Sequence, residues 1–234
     1  MKIVKREIAS WIQLYAPIAG RGVLVNDSLR ESAPMRYFLS GMIPGSYEAH
    51  AVAFHSFWVN SNVPADQIMI MKNYNGDINE DDFKRTSWKD FFASKGQPFD
   101  VETAYVSSEA HYKRFTQMSN ELYAGEGLLD EEYIHSLVEV VSELYGSQEI
   151  EVFYTFRLTR DREDRVYEGA IDELSLLLKD KDVLLTPSLI YAKNESWMVN
   201  TDLTAPFTFI GGEKALVDAL VDKHPDEIYE ISYT

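Results

Sequence analysis

The chain has 234 residues, of which 45% are hydrophobic and 13% aromatic, and it sets 22 Lys+Arg against 38 Asp+Glu for a formal net charge of −16. That balance builds a sizeable core and excludes intrinsic disorder as the main state. With no cysteine, a disulfide scaffold, a thiolate metal site and a cysteine nucleophile are excluded as well.

Residues 1–16 read as a helix, from the spacing of Ile8, Trp11, Ile12 and Tyr15, with an edge strand as the alternative. Residues 17–36 are rich in Gly, Pro, Asn and Asp and read as irregular, with a short strand at 23–25. After the Pro44–Gly45 turn signal, small residues (Ala49, Ala51, Ala53) alternate with bulkier ones (His50, Val52, Phe54), which predicts a strand running on toward Trp58, with a helix as the alternative that the alanines allow. Residues 66–72 predict another short strand, followed by a turn-rich loop. Ser87, with Asp90 three residues on and Gly96 at the far end, predicts a capped helix.

The clearest element starts at Asp130 and stops at Gly146. Ile134, Leu137, Val138, Val141, Leu144 and Tyr145 fall on one helical face. Residues 149–158 alternate as a strand and are followed by a charged loop over 159–165. Residues 182–192 read as a strand interrupted at Pro187, and so as an edge or bulged strand. Two further strands flank a turn near 204–206, a helix covers 213–223, and a strand follows. Strands outnumber helices, so the expected class is α+β, a mostly antiparallel or mixed sheet with helices packed on it. A single domain over 1–234 is expected, with a sub-boundary hinted near residue 118.

That hint is electrostatic. Residues 1–117 carry 13 basic and 13 acidic side chains, and residues 118–234 carry 9 and 25. Phosphate backbones and anionic lipids repel such a chain, so neither nucleic acid nor membrane is an expected partner. A basic protein is attracted over about 10 Å at moderate salt. The plainer reading of the acidity is solubility. No run approaches the roughly 18 apolar residues of a membrane span. The opening MKIVKREIASWIQLYA is too interrupted by charge for a signal peptide, which makes the cytoplasm the expected compartment.

Chemistry is sparse. His50 and His55 are five apart and do not converge on a strand or on a helix, although Glu48 and His50 share a strand face. Asp77, Asn79 and Asp81 imitate the start of a calcium loop, but Asp82 and Trp88 stand where its glycine and glutamate belong. No metal and no cofactor are expected. Gly211-Gly212 joins a strand to a helix and is either a tight packing turn or an anion cradle with Lys214 as its lone cation. Asp202 lies between apolar segments and is either a turn cap or a pocket acid.

Ile43-Pro44, Tyr47-Glu48-Ala49 and His55, followed by Trp88, Gly96, Gly127-Leu128 and a late Trp197, Val199, Thr201, Asp202, Phe207, Gly211, Gly212 series, resemble a family of uncharacterised bacterial proteins. That family carries an IP-x-x-(F/Y)EA segment and a W-x-V-x-T-(D/E)…GG segment, and the resemblance spans about residues 41–230. Ser56 departs from the proline usual after the family's histidine. The resemblance implies one fold containing both segments and assigns no catalytic residue.

Two functions compete. One is a protein-binding module whose acidic C-terminal half engages a basic partner, in the manner of an immunity or regulatory protein. The other is an enzyme or small-molecule binder with a histidine–carboxylate pocket built from His55, Asp202 and Glu48, with Trp197, Thr201, Gly211 and Gly212 as binding residues. An oligomer subunit without a site of its own is a third reading, and the oligomeric state is left open.

Overall fold

A computed structural model describes residues 1–4, 8–13, 15, 33–60, 83–105, 121–122, 127, 129–184, 186–203 and 205–233. The strands expected at 23–25 and 66–72 and the acidic loop after them lie outside the described residues. In chain order the strands are β1 (Lys2–Val4), β2 (Ala49–Phe54), β3 (Phe57–Asn60), β4 (Phe83–Thr86), β5 (Glu121–Leu122), β6 (Glu149–Tyr154), β7 (Arg165–Ala170), β8 (Leu189–Ala192), β9 (Met198–Thr201), β10 (Phe207–Gly212) and β11 (Ile228–Glu230). The helices are α1 (Pro34–Met42), α2 (Trp88–Ser94), α3 (Glu131–Tyr145), the single turn α4 (Leu174–Leu177) and α5 (Lys214–Lys223).

Eight strands form one sheet in the order β1-β7-β6-β8-β9-β10-β2-β11, and β4-β3-β5 form a small second sheet. Every pairing in the large sheet is antiparallel. The fold is therefore α+β, with strands from both sides of residue 118 in one sheet.

Antiparallel sheets commonly leave one face wet. Here both faces are buried, so β2, β8, β9 and β10 are buried along their whole lengths. Alternation consequently sorts side chains by size. Ala49, Ala51 and Ala53 face a layer made by α3, α4 and α5, where Ile134, Leu137, Leu216, Val217 and Leu220 complete the core. Val52 and Phe54 face the opposite layer, where α1, α2 and the segment around Ile8 and Ile12 supply Leu39, Ile43, Trp88, Phe91 and Phe92. The aromatic side is tightly locked. Phe57 stacks on Phe91 with ring centres 3.9 Å apart, and Phe54 lies 4.7 Å from Trp88.

Local signals set several boundaries. Ser87 accepts the Asp90 backbone N–H at 3.1 Å at the start of α2, and Gly96 just beyond has the left-handed φ of +67° that favours glycine. Other readings need correction. Residues 2–4 form an edge strand, with only isolated turns around 10–13. The strand from 149 ends at Tyr154, because Asp164 accepts the Phe156 N–H at 2.6 Å and the chain turns as a 3₁₀ helix. The strand expected to be an edge at Pro187 is β8, which starts at Leu189, past the proline, and sits in the sheet interior between β6 and β9. α1 and β7 have no counterpart in the sequence reading. Among the described residues no helix is long and apolar enough to cross a membrane.

The glycine pair ending β10 is set by packing. A Cβ on Gly211 would meet Ile43 Cγ2 at 2.5 Å and the Tyr47 ring at 2.6 Å, and one on Gly212 would meet Trp197 Cβ at 2.9 Å. Gly211→Ala and Gly212→Ala should each destabilise the fold by about 1–3 kcal/mol, the usual cost of overpacking. Urea denaturation checks this, and two midpoints equal to the parent's would show that the neighbours yield freely.

Candidate functional site

The proposed pocket residues fall at two ends of the sheet. Glu48 precedes β2 and His55 follows it, so seven extended residues, roughly 20 Å or more, separate them. Trp197 precedes β9 and Asp202 follows it. Because β9 and β2 both run antiparallel to β10, Glu48, Trp197, Gly211 and Gly212 share one end, and His55, Thr201 and Asp202 share the other. No single cleft gathers His55, Asp202, Glu48 and Trp197.

At the first end each residue has a packing or capping task. Glu48 Oε2 accepts the Lys214 backbone N–H at 3.0 Å. A carboxylate thus already sits on the positive end of α5, where an anion cradle was considered. Trp197 is fully buried and its indole N–H donates to Gln148 Oε1 at 2.6 Å.

At the second end His55 is fully buried. Its Nε2 lies 2.9 Å from Thr208 Oγ1, which is 2.8 Å from Thr201 Oγ1. Its carbonyl accepts the Trp88 indole N–H at 2.7 Å, and its own N–H donates to the Pro206 carbonyl at 2.9 Å. Asp202 is half-buried and opens the turn into β10, accepting the Ala205 N–H on its carbonyl at 3.3 Å. The chain from His55 through Thr208 to Thr201 fixes the point where the polypeptide leaves the large sheet for β3. The imidazole is thus enclosed and hydrogen-bonded within that chain.

The densest polar centre is one that spacing does not reveal. Ser56, nearly fully buried, donates its N–H (3.2 Å) and its hydroxyl (2.8 Å) to Asp130 Oδ2. Arg85, from β4, reaches Asp130 (3.3 Å), Glu132 (3.0 Å) and Glu227 (2.9 Å), and its guanidinium lies over the Tyr133 ring at 5.2 Å. Burial alone would lower the Arg85 pKa, but Tyr133 and the three carboxylates hold it above the ordinary value. Asp130 thereby gives up its expected capping role and makes no side-chain cap on α3. His224 adjoins the cluster, with Nε2 2.8 Å from Ser136 Oγ and Nδ1 3.8 Å from Glu227. Nothing in the sequence marks Arg85, which follows Lys84 directly in a segment not predicted to be a strand. Its partners are far away in the chain, Asp130 by 45 positions.

Among the described residues no group of three or more His, Asp or Glu could hold a metal ion. Comparison with known proteins adds no precedent for either end: no family model matches the chain, and neither a curated protein nor a solved structure does.

Arg85→Met should cost roughly 2–4 kcal/mol, because it strands Asp130 and Glu227, while the quarter of its side chain left exposed keeps the loss below that of a dry ion pair. Thermal and urea unfolding read this directly, and an unchanged midpoint would make the cluster a surface ornament. The histidines set an acid limit. Burial pushes His50 and His224 below the ordinary imidazole value, against the Pro44 carbonyl at His50 and against Glu132 and Glu227 at His224. Each takes up a proton less readily in the fold than when unfolded. Their contribution is therefore complete above about pH 6.5 and is lost as the pH falls from there toward their depressed values, by up to about 1.4 kcal/mol per pH unit for each. Unfolding at pH 7.5 and 5.5 should show the loss, and H50Q/H224Q should lose less over the same interval. An equal loss would place the titration elsewhere.

Proposed function

We propose that this chain is a protein-binding module whose acidic C-terminal half engages a basic partner, in an immunity-like or regulatory role. The carrying observation is the outer surface of the helical layer. Along α3 the exposed positions are Glu131, Glu132, His135, Glu139, Glu143 and Leu144, and the sequence has no lysine or arginine from 130 to 146. The neighbouring α5 adds exposed Asp218 and Asp222, with Asp226 beyond it. Its two lysines are already engaged, Lys223 with Glu139 at 2.8 Å and Lys214 with Asp218 at 2.8 Å. The outer face of α3 is thus acidic, with Glu131 and Glu143 beside Glu132 and Glu139, while Asp226 at its border is paired with Lys89 at 2.6 Å. Such a face steers a cationic surface and speeds encounter at low salt.

The enzymatic alternative draws less support. It needs one accessible cleft holding His55 with a carboxylate, whereas His55 is fully enclosed and Glu48 lies at the far end of β2, bonded to α5.

The test is a paired capture from cell extract on immobilised parent protein and on E139K/E143K/D222K, with partners identified by mass spectrometry at 50 and 300 mM salt. Strongly basic proteins should bind the parent at low salt, elute at high salt, and bind the variant about tenfold more weakly. Capture of the same proteins by both, or of partners that are not basic, would overturn the reading.

A further inference from the structure

At the end of the sheet where Glu48 lies, the segment 45–50 and the segment 230–233 face each other across an open cleft of about 480 Å³, a volume in the range of specific ligand sites. Its walls are aromatic. The His50 and Tyr233 rings are 5.0 Å apart, and Tyr47 meets His50 edge-on at 6.4 Å. Its rim carries Glu48 and Glu230.

The polar atoms here are short of donors. His50 is 4% exposed, and its Nε2 must donate to the Pro44 carbonyl, 3.0 Å away. In the neutral ring Nδ1 is then an acceptor. The Tyr47 hydroxyl is likewise buried without a hydrogen-bond partner among them. A lone pair, a free phenol, two carboxylates and aromatic faces together suit a flat cation rich in N–H groups. A guanidinium has five such donors, and it stacks on aromatic rings.

We propose that this cleft receives an arginine side chain of the basic partner. The proposal rests on the reading of the chain as a binder of a basic protein, and it names the place where that partner is anchored. The competing internal cation is Lys214, whose ammonium lies 3.4 Å from Glu230 and 2.8 Å from Asp218.

The test uses N-acetyl-arginine amide on the full chain, followed by the imidazole ¹⁵N signals of His50. Its neutral near-isostere N-acetyl-citrulline amide is the control. Saturable binding in the roughly millimolar range is expected for a ligand of this size, together with a further depression of the His50 titration, because a cation beside Nδ1 opposes protonation. Glu230→Gln should weaken binding at least threefold, and Lys214→Met should tighten it by a similar factor. Equal binding of the citrulline compound, or indifference to both substitutions, would overturn the proposal. The two readings fail separately. If E139K/E143K/D222K loses basic partners while the arginine compound leaves His50 unmoved, the cleft assignment falls and the binding function stands. If the compound binds as described while no basic protein is captured, the cleft stands and the wider function falls.

Discussion

The architecture depends on burying both faces of one antiparallel sheet. A strand in that position has no solvent side on which to place polar residues, so each side chain must match in volume the layer that covers it. The alanines of β2 meet that demand on one side by letting α3 and α5 approach closely. Phe54, Phe207 and Phe209 meet it on the other, where the covering elements stand off and aromatic bulk fills the space. Gly211 and Gly212 are the limiting case, one on each face, where no Cβ fits on either side without a neighbour moving.

The same demand explains where the buried polar groups lie. A covered sheet satisfies its backbone internally as long as the ladders continue. β2 breaks that condition at His55 and Ser56, where the chain changes sheets, and the freed backbone groups find side-chain partners: the Trp88 indole N–H for the His55 carbonyl, and Asp130 for the Ser56 N–H. Arg85 then balances the carboxylates that this arrangement concentrates. His55, a pocket candidate in the sequence, belongs with Ser56, Asp130 and Arg85 to the seam between two sheets.

Covering both faces also decides where charge can go. Of the second-half acids in the large sheet, Glu151 is buried and held by the Tyr191 hydroxyl at 2.6 Å, Glu168 is paired with Lys193 at 3.0 Å, and Glu149 and Glu230 sit exposed at strand ends. Most of the others lie on helix exteriors and in loops. On α3 the apolar stripe takes the inner face, and the outer face inherits the glutamates. On α3 part of the charge asymmetry becomes an acidic strip in space, because its apolar side is turned to the sheet, whereas α5 balances its two aspartates with two lysines.

The amino-acid order by itself determined whatever a run of neighbouring residues can encode. The apolar period of α3, the Ser87 cap and Gly96 stop of α2, the small–bulky alternation of β2 and the acidic excess after residue 118 are all legible there, because period, capping and local charge depend on residues a few positions apart. The α+β class follows from adding those signals. Tertiary pairing alone decided the rest. Which strands are neighbours places β8 inside the sheet despite Pro187, sets Trp197 and Gly211 at the Glu48 end of the sheet, and brings Ser56 to Glu227 across 171 positions. A guanidinium or a carboxylate carries no address in its own sequence window. Its partner is fixed by the order in which the strands hydrogen-bond, and that order is settled by the packing of the whole sheet between its two layers.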